Sequence, residues 1–160
     1  MNGTQVEVLG WDVSKHQGLF TGNFDSTEDG RKMGEQLMDQ GADIILPVAG
    51  DVGFGTAAAV KEHGGAYLIG VDTDWVVKAP EYADIILTSI EKRIDVSVLS
   101  AVQAIRTGTF SGGVHIGTLD NGGVDLAPYH NLEGLISPKV KADLEQIKAD
   151  IIAGKIQTKP

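Results

Sequence analysis

Short apolar runs alternate along this chain with stretches whose apolar residues recur every three or four positions. Val6–Trp11, Ile44–Val48, Ala66–Val71, Ile85–Ile90 and Val114–Leu119 are too short for buried helices and are bounded by Gly, Pro or Asp, so each predicts a strand. Helical spacing appears between them. Asp25 or Ser26 can cap a helix whose first turn carries Glu28 and Asp29 and whose apolar face is Met33, Leu37 and Met38, with Gly41 ending it. Thr56–Glu62 predicts a second, alanine-rich helix, and Arg93–Arg106 a third with Ile94, Val98, Ala101, Val102 and Ile105 on one side. Ser137 and Pro138 open the last, with Val140, Leu144, Ile147 and Ile151 as its stripe and Gly154 as its stop. The turn at residues 120–123 leads to a short strand, Val124–Leu126, in a hairpin.

Strands alternating with helices predict one α/β domain over residues 1–160: three layers, with a mainly parallel sheet of about five strands in a flavodoxin-like order. The organising unit is Gly41–Asp74, read as strand, glycine turn, helix and strand. Gly50, Gly53 and Gly55 crowd its turn, where glycine lets the backbone approach a ligand beside the helix N-terminus. Because such units are right-handed, successive strand ends open on one edge of the sheet. That edge receives Phe24, Gly50–Gly55, Asp72 with Asp74, and Lys92: an aromatic face, backbone donors, a carboxylate and an ammonium. The set suits binding more than chemistry.

Composition narrows the classes. With 22 acidic and 13 basic residues the formal charge is -9, which disfavours a nucleic acid partner. The absence of cysteine excludes disulfides and thiolate sites. His16, His63, His115 and His130 lack metal-ligand spacing, Ser89 and Ser97 lack a nucleophile elbow, and no cofactor is expected. The run GDVGFG departs from the dinucleotide fingerprint in its glycine order. No apolar run reaches the roughly 20 residues of a membrane span, and the first residues lack the parts of a signal peptide.

In combination, GNFDSTEDGRKMGEQLMDQGADIILPVAG, GVDTDW, ILTSIEKRIDVSV, GVDLAPYHNL and the final IIAGKI resemble the basic membrane protein family of ABC transporter solute-binding lipoproteins, which includes purine nucleoside receptors. The resemblance runs from about Gly22 to the C-terminus. It implies the second lobe, with its tail, of an exported, lipid-anchored, two-lobed protein that closes on a nucleoside and delivers it to a permease, without enzymatic chemistry. On this likeness Phe24 stacks on the base, and the Gly50 amide, Asp72 and Lys92 hold the ribose hydroxyls. Trp75, where members commonly have glutamine, offers a second aromatic surface, and the Asp12–Phe20 loop is longer than usual.

Each residue also has a plainer reading. Phe24 can plug the core, Asp72 or Asp74 can cap a turn, Lys92 can pair with Glu91 or Asp95 at the surface, and Trp11 and Trp75 can be packing. Two other functions fit the pattern: a flavodoxin-like flavin- or nucleotide-dependent enzyme, and a regulatory or assembly protein retaining a solute-binding lobe. A single lobe exposes surface meant for its mate, Val124–Leu132 included, so self-association, as in a homodimer, or segment exchange is expected.

Overall fold

The computed structural model describes residues 6–158. The chain divides into two compact units, the first ending at Leu68 and the second beginning at Ile69.

The first unit begins with a small hairpin. Strand β1 (Trp11–Asp12) pairs antiparallel with β2 (Gln17–Gly18). The predicted strand Val6–Trp11 does not form; Val6 and Val8 are exposed and the chain folds back at Asp12. The reason is local. The Asp12 carboxylate accepts from the Ser14 N–H at 2.9 Å, the Ser14 hydroxyl at 2.6 Å and the Lys15 N–H at 3.1 Å, an Asx turn that gives the backbone partners without a sheet. The Ser14 hydroxyl, then Lys15, holds the Asp12 carboxyl at about 2.

Helix α1 (Thr27–Asp39) starts as expected at Ser26, whose hydroxyl accepts from the Asp29 N–H at 3.2 Å. Strand β3 is only Ile44–Ile45 instead of Ile44–Val48, because Pro47 has no N–H to give a ladder. Helix α2 (Val52–His63) begins four residues before the predicted Thr56, so Gly53 and Gly55 lie inside it and not in a turn. Their use is packing. A Cβ on Gly55 would sit 1.7 Å from the Thr27 carbonyl oxygen and one on Gly30 1.9 Å from that of Val52. Helices α1 and α2 therefore cross backbone to backbone, sealed by the Thr56 hydroxyl donating to the Gly30 carbonyl at 2.8 Å. Ile45, Val52, Ala57, Ala59, Val60 and Leu68 form this unit's core. At the surface Arg31 clasps Glu62 at 2.7 Å and Glu35 at 3.1 Å.

Strand β4 (Tyr67–Asp72) crosses the boundary. Tyr67 and Leu68 pair in parallel with Ile44 and Ile45. In the second unit follow α3 (Trp75–Lys78), a 3-10 turn at Pro80–Tyr82, β5 (Ile86–Lys92), α4 (Ile94–Thr107), β6 (Val124–Leu126), a 3-10 turn at His130–Leu135, and α5 (Pro138–Ile152). The sheet order is β3-β4-β5-β6, four strands where about five are predicted. Strand β6 pairs antiparallel with β5, Ile90 opposite Leu126 and Lys92 opposite Val124. The predicted strand Val114–Leu119 and its hairpin with Val124–Leu126 do not form; the Asn121 side chain instead bonds the Thr118 N–H at 2.8 Å and the Ile116 carbonyl at 2.9 Å, closing a turn. The core here is Val71, Trp75, Ala79, Ile86 and Ala127, with Thr88 and Ser89. Both buried hydroxyls are satisfied: Thr88 donates to the Ala127 carbonyl at 2.6 Å, and Ser89 accepts from the Trp75 N–H at 3.1 Å.

Candidate ligand-binding site

The loop before α1 is built around Asn23. Its carbonyl oxygen accepts from the Ser26 N–H at 2.8 Å and the Asp25 N–H at 3.3 Å, and its amide donates to Asp29 at 2.8 Å and to the Thr21 carbonyl at 3.1 Å. The Ser26 hydroxyl first, then Asn23, lowers the Asp29 carboxyl below its ordinary range. With Asn23 pinned, Phe24 projects outward, 75% exposed. Phe24 does not plug a core. It lines the mouth of a cavity of about 610 Å³ within the first unit, walled by Trp11, Phe20, Met33, Leu37 and Leu46 among others. Trp11 meets Phe20 edge to face, ring centres 6.1 Å apart.

Gly50 lies beside that loop in a left-handed conformation, φ 57°. A Cβ there would stand 3.7 Å from the Phe24 carbonyl oxygen. Among the described residues no group accepts from the Gly50 N–H, so it remains a free donor just ahead of α2. The structure thus brings Phe24 and Gly50 together.

In the second unit it brings Asp72 and Lys92 together, at the ends of β4 and β5. The Lys92 ammonium stands 2.6 Å from the Asp72 carboxylate, with 68% of the lysine and 49% of the aspartate side chain exposed. Lys92 pairs with neither Glu91 nor Asp95; Asp95 is taken by Arg93 at 3.0 Å. Asp72 is held in an unusual backbone state, φ 71°, where the Thr73 N–H closes back on the Val71 carbonyl at 2.9 Å. A three-residue turn with positive φ is rare and strained for a residue other than glycine. Strain of this kind is concentrated at functional sites.

Trp75, expected to face a ligand, is 2% exposed. Its indole N–H donates to the Val71 carbonyl at 2.8 Å, and its ring fills the space a Gly70 Cβ would take, at 2.5 Å. As Trp75 stands, protein covers its ring, so the expected second aromatic surface is replaced by the packing reading. Asp74 is the cap of α3, accepting from the Val76 N–H at 3.0 Å, and its other oxygen lies 2.7 Å from His130 Nε2. His130 is itself in the left-handed region, φ 43°. Nothing in the sequence marks a pair 56 residues apart, so His130 escapes a reading by spacing. Among the described residues there is no cluster of metal-ligating side chains.

The first unit thus offers a backbone donor beside an outward phenyl ring, and the second a strained carboxylate beside an ammonium; each pair suits a neutral, hydroxyl-bearing ligand. Comparison with known proteins is consistent with such a binding class. The family model for PnrA-like ABC transporter substrate-binding proteins matches residues 18–158, and this chain belongs to that family. An uncharacterised lipoprotein of Pyrococcus furiosus is 36% identical over 121 residues, 72% of this chain and 29% of that protein. The transcriptional activator protein med of Bacillus subtilis is 26% identical over 133 residues, 83% of this chain and 38% of that protein. A crystal structure of an ABC transporter solute-binding protein from Aeropyrum pernix superposes with a TM-score of 0.71 at 28% identity, covering 87% of this chain and 46% of that one. The fold is the three-layer α/β class expected from the sequence, and the chain spans less than half the length of these relatives.

Proposed function

We propose that this chain is the second, ligand-binding lobe of an ABC importer's solute-binding protein and that its ligand is a purine nucleoside. Phe24 stacks on the base, the Gly50 amide donates to the ligand, and Asp72 and Lys92 accept from and donate to the ribose hydroxyls. The observation that supports this most is Asp72: the fold holds a carboxylate in a strained turn at the end of β4, exposed and 2.6 Å from a lysine. A surface ion pair alone is worth ~0–1 kcal/mol and does not need such a turn. Binding involves no covalent step. The parent is an extracytoplasmic, membrane-anchored lipoprotein whose other lobe completes the enclosure and whose partner is a permease. Ligand stabilises the closed state through its greater affinity for it.

Calorimetric titration with adenosine, guanosine, inosine, uridine and ribose tests the reading, alongside Asp72→Asn, a substitution that tolerates positive φ. Saturable purine nucleoside binding, lost in the variant, is the expected result. Binding of none of them by a two-lobed parent would overturn it. The likeness to a transcriptional activator supports one second reading, in which the lobe serves regulation; ligand-independent capture of a protein partner would favour it.

A further inference from the structure

We propose that α4 and the exposed segment following it form a two-fold interface with a second copy of this chain, which goes beyond the ligand reading and does not depend on it. Helix α4 has no buried residue, yet one side of it is apolar. Ile94, Val98, Leu99, Val102 and Ile105 are each 55–67% exposed. A helix with an apolar stripe of this kind ordinarily buries it against a neighbour. Beyond its left-handed cap at Gly108 come Phe110, Val114 and Ile116, which are 57%, 93% and 70% exposed. Among the described residues, Ser111–Gly117 make no backbone–backbone hydrogen bond. Val114, His115 and Ile116 are all exposed.

Three properties point to a second copy as the occupant. The exposed surface of the apolar residues of α4 and this segment is on the order of the 800 Å² per partner of a standard interface. Charge agrees. The chain carries -9 overall, but residues 94–118 hold one acid, Asp95, and one base, Arg106, so their formal charge is zero and two copies can meet there without repulsion. The parts are also self-complementary. Antiparallel packing of α4 on its equivalent sets Ile94 near Ile105 of the second copy, and Ala101 leaves room at the centre. The same two-fold axis brings the segments after α4 together, each Ile116 opposite its equivalent.

The absence of native cysteine makes the test direct. Light scattering should give a dimer mass for the full chain, and mild oxidation of Ile116→Cys should trap at least tenfold more disulfide-linked dimer than Val77→Cys, whose side chain is 74% exposed elsewhere. The double variant Val98→Asp with Val102→Asp should become monomeric while keeping its circular dichroism, since both positions are over half exposed. A monomer up to several hundred micromolar, equal trapping at the two cysteines, or open-ended assemblies larger than a dimer would each overturn the proposal. A folded double variant that stays dimeric would do so as well.

Discussion

The crossing of α1 on α2 makes a prediction that runs against helix propensity. Alanine is better than glycine in a helix interior by about 1 kcal/mol, so Gly55→Ala ought to stabilise α2 taken alone. In the fold the new methyl would stand 1.7 Å from the Thr27 carbonyl oxygen, 2.6 Å from the Thr27 carbonyl carbon and 2.9 Å from the Arg31 nitrogen. All three are backbone atoms, which cannot rotate away. Restoring ordinary contact requires the helices to separate by about 1.5–2 Å, and a gap of ~1 Å already forfeits up to half the dispersion well across an interface. Overpacking of this kind costs about 1–3 kcal/mol and at times more. With backbone on the other side we place the cost at the upper end, giving a net loss of ~2 kcal/mol after the propensity gain. Gly30→Ala, at 1.9 Å from the Val52 carbonyl oxygen, should behave alike. Gly34→Ala meets a Thr56 methyl at 2.9 Å, a side-chain atom, and should lose less. Gly112→Ala, with nothing within 4 Å, is the control. Urea unfolding followed by far-ultraviolet circular dichroism reads the series. A Gly55→Ala protein as stable as the parent would refute the reasoning, because propensity would then outweigh the contact.

Other consequences follow from the same geometry. At position 72, Asn should leave stability within ~0.5 kcal/mol, whereas Val, which resists positive φ, should cost about 1–2 kcal/mol; chemical denaturation distinguishes them. Trp75→Phe removes the indole bond to Val71 and leaves a small void, so thermal unfolding should show a loss of ~2 kcal/mol. Replacing the α1 cap by Ser26→Ala should cost about 1 kcal/mol in the same assay. Lys148 holds Asp125 at 2.8 Å, tying α5 to β6; this bond lowers the Asp125 carboxyl and raises the Lys148 ammonium from their ordinary values. The lowered carboxyl stabilises the fold above its unfolded pKa near 4 and stops doing so as pH falls through its folded value. The raised ammonium stabilises it below about 10.5 and stops doing so as pH rises through its folded value. Lys148→Met should therefore lower stability at pH 7 by ~0.5 kcal/mol and leave it unchanged near pH 2, as read by urea midpoints.

What could be read from the residues depended on how far away the deciding partner lay. Ser26, Ser137 and Gly108 carry their signals within one turn of the helix they begin or end, and α1, α4 and α5 have the expected limits. Strands β4 and β5 are runs buried in the sheet, and their composition suffices. Val6–Trp11 and Val114–Leu119 have comparable apolar patterns but no neighbouring strand, and a strand exists only as part of a ladder. Gly53 and Gly55 look like a ligand-cradling turn because glycine signals close approach without saying to what; here Gly55 approaches another helix. Asp72 and Lys92 end the adjacent strands β4 and β5 and so meet, while Phe24 lies beside Gly50. The burial of Trp75 and the pairing of His130 with Asp74 depend on tertiary packing that no local pattern records.

The two tryptophans fall one to each compact unit, Trp11 at 43% exposure in the first and Trp75 at 2% in the second. Nature has thereby fitted the chain with two optical reporters of opposite starting environment. Trp75, in its dry setting, emits at short wavelength and shifts red when the second unit opens, while Trp11, half in water from the outset, moves little in wavelength and reports through quenching. Trp11→Phe isolates the first signal and Trp75→Phe the second. Fluorescence alone can then say whether the chain melts as one cooperative body or in two stages, and which half yields first.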